Sequence, residues 1–245
     1  MAVWVMDLDE TLIRSEVDYG RAILRFGLLM IDTFGDKFPG VFPVLELRQK
    51  VGNYRFRKMR ASREAFPGSL AQSYQLLCQR TGTAGKPLIE QMCWAIGYSA
   101  ISAETYEGRE LLPGVERTLD FLKSKGDILY CITAGDERVQ WDLKHPAYGL
   151  GRWFPDKEHF RVVEWEKEEE LGNIRARHPN GPVIMVGDSK GSDLWPAYRV
   201  GMIPVYVYPI STWDHGELVD ELPPGTVELS KIDEIVGLYD TLVAD

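Results

Sequence analysis

Asp7 and Asp9 flank a single leucine just after an apolar run, Ala2 to Met6. On an extended chain residues i and i+2 point to the same side, so the two carboxylates converge on one spot. Like charges held that close repel unless something positive lies between them. Two arrangements answer this: the acids splay into water at a turn, or they share a cation and do chemistry. A second acidic group, Asp188 with Asp193, stands in the stretch GDSKGSD, residues 187 to 193, at the end of another apolar run. A third polar terminus follows Ile128 to Ile132, where Thr133 precedes Ala134 and Gly135. Asp7, the backbone carbonyl of Asp9, Asp188 and Asp193 would supply hard oxygen ligands, which suit octahedral Mg2+ better than zinc. Asp193 follows a four-residue spacer, so it reads as a direct ligand, a ligand through water, or the cap of the next helix. Thr133 supplies a hydroxyl, and the small residues after it offer backbone N–H groups, a workable phosphate cradle.

Such residues need a scaffold that collects strand ends, since open α/β sheets bind ligands at the carboxyl ends of their strands. From about residue 109 the chain reads as that scaffold. A helix begins near Pro113 and stops at Gly126. Ile128 to Thr133 is a continuous β-rich run of the doubly buried kind. Asp136 to about His145 reads as helix, Phe160 to Val163 as strand, and Glu166 to Arg177 as a charged, exposed helix. Val183 to Gly187 is the next strand, a helical stretch covers about Asp193 to Arg199, and residues 203 to 208 form a further strand. A last helix spans about Lys231 to Leu242. Alternation of this kind predicts a parallel sheet covered on both faces. Residues 15 to 108 differ: helical patterning is broken by Phe38-Pro39-Gly40, Phe66-Pro67-Gly68 and Gly85-Lys86-Pro87, with no strand alternation. They read as a mostly helical insertion after the first strand.

Bulk properties narrow the partners. The chain has 245 residues, 44% of them apolar and 27% charged, and a net charge of −9. That charge gives no reason to expect nucleic acid or an anionic membrane as a partner. No apolar run approaches the roughly 20 residues of a membrane helix. Because a strand candidate occupies the start, no secretory signal is expected. Cys78, Cys93 and Cys131 form no CxxC pair, and His145, His159, His178 and His215 lack metalloprotease spacing. A reduced, cytoplasmic setting is the expectation. Cys131, mid-strand, reads as core. One segment opposes the overall charge: residues 48 to 63 hold seven basic residues and no acid. Arg55 and Arg57 there read as candidate binders of an anionic substrate, with a solvated basic helix face as the competing reading. The stretch TGTAGKP, residues 81 to 87, fails as a P-loop, because Arg80 stands where the first glycine belongs and Pro87 follows the lysine.

DLDET at residues 7 to 11, a strand ending in Thr133, a downstream lysine and GDSKGSD, in this order, resemble the haloacid dehalogenase (HAD) superfamily. The resemblance spans residues 1–14 and 109–245, and implies a doubly wound parallel-sheet, Rossmann-like α/β core. Residues 15–108 are similar to that family's C1-type helical cap. The resemblance further implies a Mg2+-dependent phosphohydrolase acting on a small-molecule phosphomonoester. Asp7 would be the nucleophile and Asp9 the general acid–base. Thr133 and a lysine would hold phosphoryl oxygens. Lys167, 21 positions before Asp188, has the better spacing for that lysine, with Lys157 the alternative. Asp9 argues for phosphoryl chemistry, because the dehalogenase branch lacks an acid at that position. A phosphomutase using the same acids, or a module that binds phosphate ligands without turnover, are the competing functions. Monomer and homodimer both stay open.

Overall fold

The computed structural model describes residues 1–60, 62–209 and 221–244. Ala61, residues 210–220 with His215, and Asp245 lie outside the described residues. The chain folds as two compact units, residues 1–15 with 108–245, and residues 16–107.

Among the described residues the first unit holds six strands: β1 (Val3–Met6), β2 (Ile128–Ala134), β3 (Phe160–Val163), β4 (Val183–Gly187), β5 (Ile203–Val207) and β6 (Val227–Leu229). All pairings are parallel, in the order β3-β2-β1-β4-β5-β6. This is the doubly wound α/β arrangement that the alternating pattern predicts. Alternate residues of β1 serve opposite faces of the sheet. Val3 and Val5 pack with Tyr130, Ile132, Val183 and Met185 and with Leu171 and Ile174 of a covering helix, Glu168–Arg177. Trp4 and Met6, fully buried, take the other face. Asp127 ties down the start of β1: its carboxylate accepts from the Ala2 N–H (2.7 Å), Trp4 Nε1 (3.0 Å) and the Tyr239 hydroxyl (2.8 Å). The β6 strand, three residues long, carries too short an apolar pattern to be read from sequence.

The second unit is helical: Glu16–Phe34, Val41–Met59, Ala65–Thr81, Pro87–Tyr98 and a short turn, Ala103–Tyr106. Phe26, Met30, Val44, Leu47, Leu70, Tyr74, Leu77 and Cys93 form its core. The Phe66-Pro67-Gly68 punctuation is not a break. Pro67 sits in the first turn of the Ala65–Thr81 helix, where a missing N–H costs nothing. A Cβ on Gly97 would come 2.3 Å from the Pro67 Cα, so glycine permits that close helix crossing.

Candidate active site

The strand order reverses at β1, with β2 on one side and β4 on the other. Doubly wound sheets open a crevice at such a switch point. Met6 lies in register with Cys131 of β2 and Val186 of β4. Just beyond it the Asp7 N–H still donates to the Val186 carbonyl at 2.9 Å. That register brings Asp7 and Asp188 to the same rim, 181 positions apart. Ligand oxygens of Asp7, Asp188 and Asp193 lie within 4.8 Å of one another.

The loop after β1 is held from below and across. Leu8, Leu12 and Ile13 are fully buried, and the Leu12 and Ile13 N–H groups both donate to the Leu8 carbonyl. Glu10 adopts a left-handed φ of 62°, a conformation that costs a non-glycine residue about 1 kcal/mol or more. Its carboxylate offsets part of that by accepting from the Ser15 N–H at 2.8 Å. Thr11 donates its hydroxyl to Asp188 at 3.1 Å and so links the two acidic loops.

Lys167 and Asp193 complete the first cluster. Lys167 is 3% exposed, and its ammonium bonds both Asp7 and Asp193, the latter at 2.6 Å. The second Asp193 oxygen accepts from the Ser189 N–H at 3.1 Å, so Asp193 holds the lysine and braces its own loop. Gly187 makes this possible, because a Cβ there would fall 2.4 Å from Asp193 Oδ2. Lys157 lies elsewhere, at the surface, paired with Glu137 and over the Trp141 ring.

Asp9 has its own anchors. Lys144 bonds Oδ1 at 2.6 Å and Gln140 bonds Oδ2 at 2.9 Å. Neither residue is evident from sequence. Both come from Arg138–Lys144, which winds as a π-helical segment rather than the α-helix expected there. The one available signal is their four-residue spacing, downstream of Thr133.

Thr133, at the end of β2, is 1% exposed. The cradle expected after it is smaller than the sequence suggests. The Gly135 N–H donates to the Val163 carbonyl of β3 at 2.9 Å, so sheet pairing has consumed it. Gly135 serves instead as space, since a Cβ there would fall 2.7 Å from Gln140 Nε2. Ala134 is the last residue of β2, and its carbonyl accepts from Gln140 at 3.3 Å. Arg55 is also spent within its own unit. Its guanidinium donates to the Ala65 and Glu64 carbonyls at 3.3 and 3.4 Å and to Gln72 at 3.4 Å, fixing the start of the Ala65–Thr81 helix. Arg57 is exposed and lines an open hollow with Lys50, Asn53, Tyr54 and Lys58. Cys131 is fully buried, and burial pushes its thiol well up, as for an inert core residue.

The electrostatics of the cluster suit a cation. Burial above all, opposed by Lys167 and reinforced by Asp193 and Asp9, pushes the Asp7 carboxyl up to about 7. Asp188 is raised well above its ordinary value by burial and by the charges of Asp7 and Asp193. Burial works against the charge of Asp9 too, yet Lys144 and Gln140 overcome it and lower that carboxyl. Burial opposes the Lys167 charge, but Asp193 and Asp7 outweigh it and hold the ammonium protonated. Formally, Asp7, Asp9, Asp188 and Asp193 face Lys144 and Lys167, an excess of two negative charges. One divalent cation balances that excess, and the all-oxygen donors of Asp7 and Asp188 fit Mg2+.

No family model matches the chain, and no curated protein matches it. Solved structures do. A haloacid dehalogenase-like family hydrolase from Xanthomonas campestris is 18% identical, with a TM-score of 0.75 over 100% of this chain and 92% of its own. A HAD hydrolase from Bacillus subtilis bound to magnesium is 18% identical, with a TM-score of 0.61 and 98% of each chain covered. A 2-haloacid dehalogenase from Pseudomonas syringae is 17% identical, with a TM-score of 0.58 over 98% of this chain and 99% of its own. The chain has the fold of the HAD-like hydrolases. Among the described residues no helix is long and apolar enough to cross a membrane.

Proposed function

We propose that the chain is a Mg2+-dependent phosphohydrolase that cleaves a small-molecule phosphomonoester through an aspartyl-phosphate. The observation that carries the reading is the second carboxylate. Asp9 stands two residues beyond Asp7 and is held by its own lysine, apart from the cluster around Lys167. Halide displacement needs a nucleophile but no acid for the leaving group, whereas an alkoxide leaving from phosphorus needs a proton.

An Asp7 oxygen attacks phosphorus, and the ester P–O bond breaks. The leaving alkoxide takes a proton from Asp9, whose carboxyl the arriving phosphate charge raises toward its neutral form. Asp9 then removes a proton from the water that attacks the aspartyl-phosphate. Cleavage of the P–O bond to Asp7 releases inorganic phosphate and restores the nucleophile. Lys167 compensates charge on Asp7 through both steps, and the Thr133 hydroxyl holds a phosphoryl oxygen. Asp7, Asp188 and the Asp9 carbonyl would hold Mg2+, with Asp193 acting through Lys167; the ion supplies charge neutralisation at the phosphoryl oxygens.

Hydrolysis of p-nitrophenyl phosphate and a panel of alkyl phosphates, with Mg2+ and with chelator, tests this beside Asp7→Asn. Metal-dependent phosphate release, lost in the variant, is expected. Normal rates in Asp7→Asn would refute the nucleophile. Isomerised sugar phosphate without free phosphate would identify a mutase, and halide release from 2-haloacids without phosphatase activity a dehalogenase.

A further inference from the structure

Lys144 is fully buried and Gln140 is 4% exposed, yet each donates to a carboxylate whose side chain is 30% exposed. Burying an ammonium is costly and survives where a specific partner compensates it. The backbone is shaped for this: Arg138–Lys144 winds with i→i+5 hydrogen bonds, a rare geometry that recurs at functional sites. Gly135 leaves the space through which the Gln140 amide passes, and the Ala134 carbonyl fixes that amide from the other side. Each Asp9 oxygen therefore meets a donor from this one segment, and the Ser15 side chain adds a further hydrogen bond.

We propose that Lys144 and Gln140 are positioning residues that lock the Asp9 carboxylate in the single orientation from which it exchanges a proton with the leaving group and the attacking water. The proposal rests on the phosphohydrolase reading above. A misplacement of about 1 Å at a reacting group costs about 100-fold in rate, so the orientation itself is worth a dedicated pair. The pair acts on proton transfer and leaves phosphate binding to Thr133 and Lys167.

The test uses Lys144→Met and Gln140→Met, near-isosteric changes, each checked by circular dichroism. Gly135→Ala serves as a third variant, which displaces the amide without touching either residue. Turnover is measured on an alkyl phosphate and on p-nitrophenyl phosphate, whose leaving group needs little proton assistance. We expect kcat/KM on the alkyl ester, which reads the step in which the alcohol leaves, to fall roughly 100-fold in Lys144→Met and roughly 10-fold in Gln140→Met. On the aryl ester kcat/KM should lose less than about 3-fold, while kcat falls on both esters where the shared water attack limits turnover. Equal losses of kcat/KM on both esters, or a raised kcat/KM on the alkyl ester in either variant, would overturn the proposal. Melting temperatures of Lys144→Met, Asp9→Asn and the double variant provide a readout independent of turnover. Coupled, non-additive shifts are expected, and additive shifts would also overturn the proposal. A wild type silent toward every ester refutes the phosphohydrolase reading instead, and the melting cycle still decides whether Lys144 grips Asp9.

Discussion

Metal-free protein should lose stability as pH rises from 5 to 8, and Asp7 should carry much of that loss. An unperturbed aspartyl group titrates at 3.8, whereas burial, against Lys167 and with Asp193 and Asp9, pushes Asp7 in the fold up to about 7. Between those values the folded state keeps a proton that the unfolded chain has released. Stability then falls with rising pH by up to about 1.4 kcal/mol per unit. Integrated from pH 5 to 8, the loss is about 2.5 kcal/mol. Asp188, raised by burial and by Asp7 and Asp193, adds in the same direction. Asp9 is lowered and titrates below 3.8, outside the window, and Lys167 stays charged throughout it. His178 opposes the trend: burial and Arg177 lower it, so its contribution weakens as pH falls below 6.5. Comparison with Asp7→Asn removes that background. Urea unfolding in chelator, at pH 5, 6, 7 and 8, should show the wild-type-minus-variant stability shrinking by roughly 2.5 kcal/mol across the range. Adding Mg2+ should flatten or reverse the wild-type slope, because the ion binds the deprotonated acids. A difference independent of pH, or one that grows with pH, would refute the reasoning.

Two substitutions probe the same cluster from its supports. Lys167→Met leaves two buried carboxylates, Asp7 and Asp193, without their shared ammonium, and should cost about 3–5 kcal/mol in urea unfolding at pH 8 with chelator. Mg2+ should restore part of that, and an identical loss with and without the ion would contradict a shared site. Gly187→Ala places a Cβ 2.4 Å from Asp193 Oδ2 and 2.7 Å from its Cβ. It should cost about 1–3 kcal/mol, read from the urea midpoint, because Asp193 is pinned by Lys167 and Ser189 and has nowhere to yield.

Asp7, Thr133 and Asp188 were legible because strand periodicity places them, whereas Lys167 and Asp193 were read from their spacing to Asp188. An apolar run fixes which residue emerges at a strand end, and parallel pairing gathers those ends at one rim. Asp7, Thr133 and Asp188 follow from that, although Thr11 and Asp188, now hydrogen-bonded, are 177 positions apart. Helix phase is less forgiving, because each residue turns the next by roughly 100°, and one extra residue per turn redirects every side chain after it. Residues 136 to 145 read as an ordinary helix, while the chain winds Arg138–Lys144 with a longer turn and sends Gln140 and Lys144 to Asp9. Arg55 shows the same limit. Its basic neighbourhood suggested an anion, but the phase of its helix turns the guanidinium onto the carbonyls of Glu64 and Ala65. The expected Gly135 donor failed for a different reason, since sequence shows that a strand exists but not the residue at which pairing with β3 stops. The acids at the strand ends were thus open to reading, and the lysine and amide that aim Asp9 were not. Aiming depends on backbone detail of a few tens of degrees, which composition and spacing do not encode.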